Sequence, residues 1–116
     1  MVVRTPERDD VSRVFAALAD PTRRDIVARV LRHDASVSVL AERYSMSFAA
    51  VQRHVAVLER AGLVSKERHG REQHVRGDVD ALRAAARQLD RYEEIWRGRI
   101  SRLEEILAET DPQPDL

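Results

Sequence analysis

Residues 36–62 read SVSVLAERYSMSFAAVQRHVAVLERAG, and their pattern decides the fold. Ser36, Val37 and Ser38 open a short helix carrying Val39, Leu40 and Tyr44. A turn follows through Ser45, Met46 and Ser47. Ser47 is a strong N-cap for a second helix, because its side-chain oxygen accepts an N–H that a helix start leaves without a partner. In that second helix Phe48, Val51, Val55, Leu58 and Gly62 recur at spacings of 3, 4, 3 and 4, the period of a buried helical stripe. The opposite face holds Ala49, Gln52, Arg53, Ala56 and Arg60. Gly62 is placed to end the helix in the left-handed conformation that glycine adopts most readily. A short helix, a tight turn and a capped helix with one face left bare make a helix-turn-helix.

Toward the C-terminus, residues 63–68 (LVSKER) and 73–76 (QHVR) read as two short strands joined at Gly70-Arg71, a hairpin beside the helix-turn-helix and hence a wing. Gly77-Asp78 closes the hairpin, and Asp78 is a cap for the next element. A long helix is expected from about Asp78 to Glu109. Leu82, Leu89, Trp96 and Leu103 recur seven apart, flanked by Ala86, Ile100 and Leu107 and by Ala85, Tyr92 and Ile106. So long an apolar seam, carrying the single Trp, exceeds what a small domain covers alone, and should pack against a partner helix.

Toward the N-terminus, Val11, Val14, Phe15 and Leu18 give the stripe of an amphipathic helix with Asp9 or Asp10 as its cap. Asp20-Pro21 then stops that helix and starts another, with Asp20 as N-cap and Pro21 at the first position, where its missing N–H is harmless. The second helix should bury Ile26, Val27, Val30 and Leu31 and end near His33-Asp34. Residues 1–8 read as a flexible arm, 9–109 as one winged helix-turn-helix domain for binding and dimerisation, and 110–116 as a disordered, Pro-containing tail.

The 116 residues suffice for one domain. Twenty basic residues balance twenty acidic ones, but unevenly along the chain. Residues 36–77 hold seven basic side chains (Arg43, Arg53, Arg60, Lys66, Arg68, Arg71, Arg76) against four acidic ones, whereas residues 78–116 hold six against ten. Such asymmetry suits a basic binding face on an acidic scaffold. The absence of cysteine excludes disulfides, thiolate metal sites, a Cys nucleophile and direct thiol redox sensing. No apolar run reaches a membrane span, and the N-terminus lacks the apolar stretch of a secretory signal, so a cytoplasmic protein is expected. There is no P-loop, GxGxxG or Ser-His-Asp grouping, and no enzyme is expected.

FAALADPTRR (Phe15–Arg24), Leu40-Ala41, Met46-Ser47, AVQRH (Ala50–His54) and LERAGLV (Leu58–Val64) together resemble the ArsR-type winged-helix repressors of bacteria, and in particular the branch without metal-binding motifs. The resemblance runs from about Val11 to Arg76. It departs at Gln52, where the family often has Ser, at Val55, where it often has Leu, and at Gly77, where it often has Leu; the glycine is expected to loosen the junction of wing and last helix.

The resemblance implies a homodimer that represses transcription from duplex DNA. Recognition helices of two subunits would enter successive major grooves of an inverted repeat, with the first and last helices at the dimer interface. The DNA-binding residues are then expected to be Ser47, Ala49, Ala50, Gln52, Arg53 and His54 on the recognition helix, and Arg68 and Arg71 on the wing. Arg53 would contact guanine or phosphate, Gln52 an adenine edge, Ser47 a phosphate, and the alanine methyls thymine. The expected interface residues are Val14, Phe15, Leu18, Leu82, Leu89, Trp96, Ile100 and Leu103. Metal-sensing relatives use Cys pairs or His/Asp/Glu sets on the last helix; this chain has no Cys and no His there, so neither metal nor cofactor is expected. An unidentified small organic ligand remains compatible with the apolar stripe. The alternative is a winged-helix module that binds a protein partner and no DNA.

Overall fold

The computed structural model describes residues 6–110, with side chains from Asp9 onward. In chain order the elements are α1 (Pro6–Leu18), α2 (Pro21–Arg32), β1 (Ala35–Ser36), α3 (Val37–Tyr44), α4 (Phe48–Arg60), β2 (Val64–His69), β3 (Glu72–Gly77) and α5 (Asp80–Thr110). The chain divides into two compact units, a larger one ending at Ala85 and a smaller one beginning at Ala86.

The larger unit is the winged helix-turn-helix. Its core joins α1 through Val14 and Ala17, α2 through Ile26, Val27 and Val30, α3 through Val37 and Leu40, and α4 through Val51, Val55 and Leu58. Leu63, Val64 and Val75 close it from the sheet side, and Ala85 from the start of α5. Burial of these branched side chains is the main term holding the unit together, at roughly 1.5–3 kcal/mol for each fully covered one.

The helix boundaries follow the caps. Asp20 accepts from the Arg23 N–H at 3.0 Å and Pro21 opens α2. That N–H, with the nearby Arg23 charge, holds the Asp20 carboxyl below its ordinary range. Arg23 and Arg24 then turn back to the end of α1. Arg23 Nε donates to the Ala17 carbonyl at 2.7 Å and Arg24 Nη1 to the Leu18 carbonyl at 2.7 Å. Two guanidinium groups thus satisfy carbonyls that a helix end leaves open. Ser36 caps α3 by accepting from the Val39 N–H, and Ser47 caps α4 by accepting from the Ala50 N–H, both at 3.1 Å. Between α3 and α4, Ser45 takes a left-handed conformation (φ 51°). Tyr44 ties α3 to α2: its hydroxyl donates to Asp25 and accepts from Arg29 Nε at 3.4 Å. Burial, then the Asp25 bond, pushes that hydroxyl above its ordinary range, so it stays protonated.

The wing is the expected hairpin, β2 against β3, in the antiparallel register Val64↔Gly77 to His69↔Glu72. A third strand was not visible in the sequence: β1 pairs with the other edge of β3, Ala35↔Val75 and Ser36↔His74. Gly62 has φ 78°, as its place after α4 requires. Gly77 does something other than loosen a junction. A Cβ built there would lie 2.8 Å from Leu31 Cδ2 and 3.0 Å from Leu31 Cα, so the missing side chain lets the end of β3 close onto α2.

Several expectations are corrected. α1 begins at Pro6, so residues 6–8 of the expected arm are helical and Asp9 and Asp10 lie inside the helix rather than at its cap; Asp10 pairs with Arg13 at 2.9 Å. Residues 1–5 and 111–116 lie outside the described residues, and Thr110 is the last residue of α5 rather than the first of the tail. Phe48 was expected in the core but is 51% exposed, although Val51, three residues on in the same stripe, is fully buried. Leu31 and Val39 are also exposed.

The smaller unit is the remainder of α5. From Leu89 to Leu107 its large apolar side chains, among them Tyr92, Trp96, Ile100 and Leu103, are all exposed. Arg99 stacks over the Trp96 ring at 5.7 Å, and Glu93 pairs with Arg97 one turn on. Among the described residues no helix is long and apolar enough to cross a membrane.

Candidate nucleic-acid interface

α4 is an amphipathic helix whose inner stripe, Val51, Val55 and Leu58, is fully covered. That burial fixes its outer face. Ala49, Arg53 and Arg60 are exposed there, and Gln52 and Ala56 are half-buried. Ser47 and Phe48 stand exposed at its N-terminal end, and Ala50 is half-buried beside them. As a cap, Ser47 Oγ accepts, so its O–H proton is still free to donate outward. The helix N-terminus adds a fixed partial positive charge at the same place.

Two side-chain bonds lock the wing to this helix. Lys66 of β2 pairs with Glu59 of α4 at 3.5 Å. Gln52 Nε2 of α4 donates to Gln73 Oε1 of β3 at 2.9 Å. Lys66, Arg68, Gln73 and Val75 share one face of the hairpin, since the register sets Lys66 against Val75 and Arg68 against Gln73. Arg68 is exposed, its Nε donating to the Gly70 carbonyl at 3.3 Å, and Arg71 is exposed in the turn. The structure therefore joins the bare face of α4 to the hairpin face bearing Arg68, with Arg71 at the tip.

His54 does not join this set. It is half-buried, with Nδ1 3.5 Å from Arg23 Nη1, against the capping arginine of α2. Arg has no acceptor, so any hydrogen bond in this contact runs from the Arg23 guanidinium to Nδ1. Sequence reasoning misses two residues of this face. Phe48 has the spacing of a core residue, and Gln73 carries no signal because its partner lies 21 residues away.

The other hairpin face carries Glu67, His69, Glu72 and His74. The two imidazole rings approach to 4.6 Å between centroids. Each histidine pairs with a glutamate of its own strand, His69 with Glu67 at 3.5 Å and His74 with Glu72 at 3.2 Å. The glutamates face histidines rather than the wing arginines. Among the described residues no group of three or more His, Cys, Asp or Glu is placed to hold a metal ion.

The expected interface residues separate by burial. Val14 is 1% exposed inside the larger unit's core, so it has no surface to offer a partner, and that assignment is corrected. Leu18 and Leu82 are partly covered by the same core, and Phe15 is exposed on α1. In the smaller unit Leu89, Trp96, Ile100 and Leu103 are exposed.

Comparison with known proteins gives a consistent result. A family model described as a helix-turn-helix domain matches residues 18–67. The chain is 38% identical over 89 residues to the HTH-type transcriptional regulator Rv2034 of Mycobacterium tuberculosis, covering 77% of this chain and 78% of that protein. It is 32% identical over 60 residues to the transcriptional repressor SdpR of Bacillus subtilis, covering 52% and 67%. Among solved structures, an ArsR-like transcriptional regulator from Rhodococcus sp. RHA1 superposes with a TM-score of 0.73 at 34% identity, covering 88% of this chain and 96% of that one. The homodimeric winged helix-turn-helix DNA-binding domain Mb0332 of Mycobacterium bovis, described as a possible ArsR-family regulator, gives 0.61 at 25% identity, covering 81% and 92%.

Proposed function

The chain belongs to the ArsR family of winged helix-turn-helix, DNA-binding transcriptional regulators, and on that premise we propose that it is a homodimeric repressor acting in the cytoplasm on an inverted-repeat operator, without metal sensing. It is a regulator and not an enzyme. The observation that carries the reading is the continuous face made by the outer side of α4 and the hairpin side bearing Arg68, held rigid by the Ser47 cap and the two bonds to the wing.

On this reading α4 enters the major groove. Arg53 contacts guanine or phosphate, Ser47 donates to a phosphate, and Ala49, Ala50 and Phe48 meet thymine methyls. Arg68 and Arg71 reach the flanking phosphates or the minor groove. His54 acts from behind, through Arg23, and touches no base. Dimerisation is assigned to Phe15, Leu18 and Leu82 of the larger unit and to Leu89, Trp96, Ile100 and Leu103 of the smaller, with a second copy of the chain as the occupant. A dimer sets two α4 helices about one DNA turn apart, roughly 34 Å, and so demands an inverted repeat. Bound there, the protein excludes polymerase. The donor set disfavours a metal signal: there are no thiolates, and the wing histidines are engaged with glutamates. Control then falls to an organic ligand or to the amount of protein.

The test is fluorescence anisotropy with the duplex upstream of the protein's own gene, against a scrambled duplex, over a salt series. One dimer per site, with affinity falling linearly in log–log salt, is the expected result. Arg53→Ala weakens operator binding by about 1–3 kcal/mol and leaves the dimer intact. No binding to either duplex at low salt would overturn the reading and leave a protein-docking module.

A further inference from the structure

We propose that Gln73 of the wing is a specificity-determining positioning residue: it holds Gln52 of α4 so that Gln52 accepts adenine and rejects guanine at one base pair in each half-site. The proposal rests on the DNA-binding reading above and deepens it.

A glutamine carboxamide has one acceptor oxygen and two N–H donors. Gln52 gives one of those donors to Gln73 Oε1 at 2.9 Å, across the contact between α4 and β3. Its oxygen and second N–H remain. That is the donor–acceptor pair required by adenine, which presents an N6 amino group and an N7 acceptor in the major groove. Guanine presents two acceptors there, O6 and N7. A free glutamine turns about its terminal bond and offers its amino group to both. With one N–H engaged by Gln73, Gln52 has a single donor left, and its oxygen faces O6.

The bond also reduces the freedom of a long side chain before DNA arrives, which otherwise opposes binding. Both residues are half-buried, so the bond meets less competition from water than one on an open surface. Val64 and Val75 of the same hairpin face are buried in one core with Val51, Val55 and Leu58 of α4, which holds the hairpin against α4 and Gln73 within reach. The family resemblance often has Ser at the Gln52 position, and a serine is too short to make this bond. The arrangement therefore belongs to this chain's own pair of residues.

The experiment is selection of binding sites from a randomised duplex library by the full-length protein, followed by sequencing. Wild type, Gln52→Ala, Gln73→Leu, Gln73→Thr and Gln73→Glu are compared, each checked for a wild-type thermal melt. Gln52→Ala identifies the base position by abolishing preference there. At that position the wild type prefers adenine over guanine by roughly tenfold or more. Gln73→Leu removes the acceptor at similar size and lowers the preference to about threefold or less. Gln73→Thr, too short to reach Gln52, does the same and serves if Leu disturbs folding. Gln73→Glu keeps an acceptor and retains the preference, although its charge weakens overall affinity. A merely structural role for Gln73 would lower affinity at every position and leave the ratio alone. An unchanged ratio in Gln73→Leu and Gln73→Thr overturns the proposal while the DNA-binding reading stands. A Gln52→Ala profile identical to wild type overturns it as well. Failure of the wild type to select any motif overturns the DNA-binding reading together with it.

Discussion

The unit ending at Ala85 covers most of its large apolar side chains, whereas the unit beginning at Ala86 leaves its own exposed. In the first, Ile26, Leu40, Val51, Val55, Leu58, Leu63 and Val75 have no exposed surface at all. In the second, Trp96 is 56% and Leu107 66% exposed, with Leu89, Tyr92, Ile95 and Ile106 similarly open. Both stretches have helical apolar periodicity, so periodicity does not separate them. What separates them is cover: the first stripe meets other elements of its own unit, whereas the second presents more apolar surface than a monomer ordinarily leaves in water. The lesson is a division of labour. The first unit has its own core to hold a rigid surface, and on our proposal the second is completed by another copy of the chain.

Substitutions sharpen this contrast in order of size. Leu58→Ala removes a fully buried side chain from the inner stripe of α4 and should destabilise the fold by about 2–5 kcal/mol, read from urea unfolding. Leu107→Ala, the same truncation in the smaller unit, should change unfolding at dilute, monomeric concentration by about 0.5 kcal/mol or less. Equal losses at the two sites would erase the distinction.

Next is Gly77→Ala, which forces a Cβ against the Leu31 backbone where β3 meets α2. A loss of about 1–3 kcal/mol in thermal unfolding is expected, and an unchanged melting curve would show that this closure is not tight. Ser36→Ala leaves the Val39 N–H without its cap and should cost about 1 kcal/mol by the same measurement.

The smallest effect is acid dependence. The Asp20 carboxyl is held below its unfolded value of 3.8 by the Arg23 N–H, so its contribution is complete above that pH and is lost as the pH falls toward its lowered folded value. Asp20→Asn should flatten the acid side of the stability profile, and an unchanged slope would remove Asp20 from the account.

The parts of the fold legible in the sequence are those set by local chemistry. Asp20-Pro21, Ser36, Ser47, Gly62 and Gly70 each mark a boundary through a bond or dihedral within a few residues, and the structure places a cap or turn at each. What was not legible depends on partners distant along the chain. β1 is two residues long and exists only because Val75 and His74 lie beside it. Val14 and Phe15 sit on one apolar stripe, yet only Val14 is covered, and nothing in the stripe says where the cover ends. Phe48 fits the spacing of the inner face but stands 51% exposed at the first position of α4, where spacing does not say whether other elements reach it. In the candidate site the residue types and the face of α4 were readable, whereas the Gln52–Gln73 bond and the turning of His54 to Arg23 are tertiary facts, with partners 21 and 31 residues apart.

The division of labour is tested most directly by sedimentation equilibrium of the wild type and of Trp96→Glu, with circular dichroism of each. A charge at an exposed position leaves an uncovered helix intact and is prohibitive in a covered one. The account predicts a wild-type mass of twice the 13.3 kDa chain, and for Trp96→Glu a single-chain mass with unchanged helicity. A wild type that sediments as one chain, or a Trp96→Glu protein that remains dimeric, would contradict it.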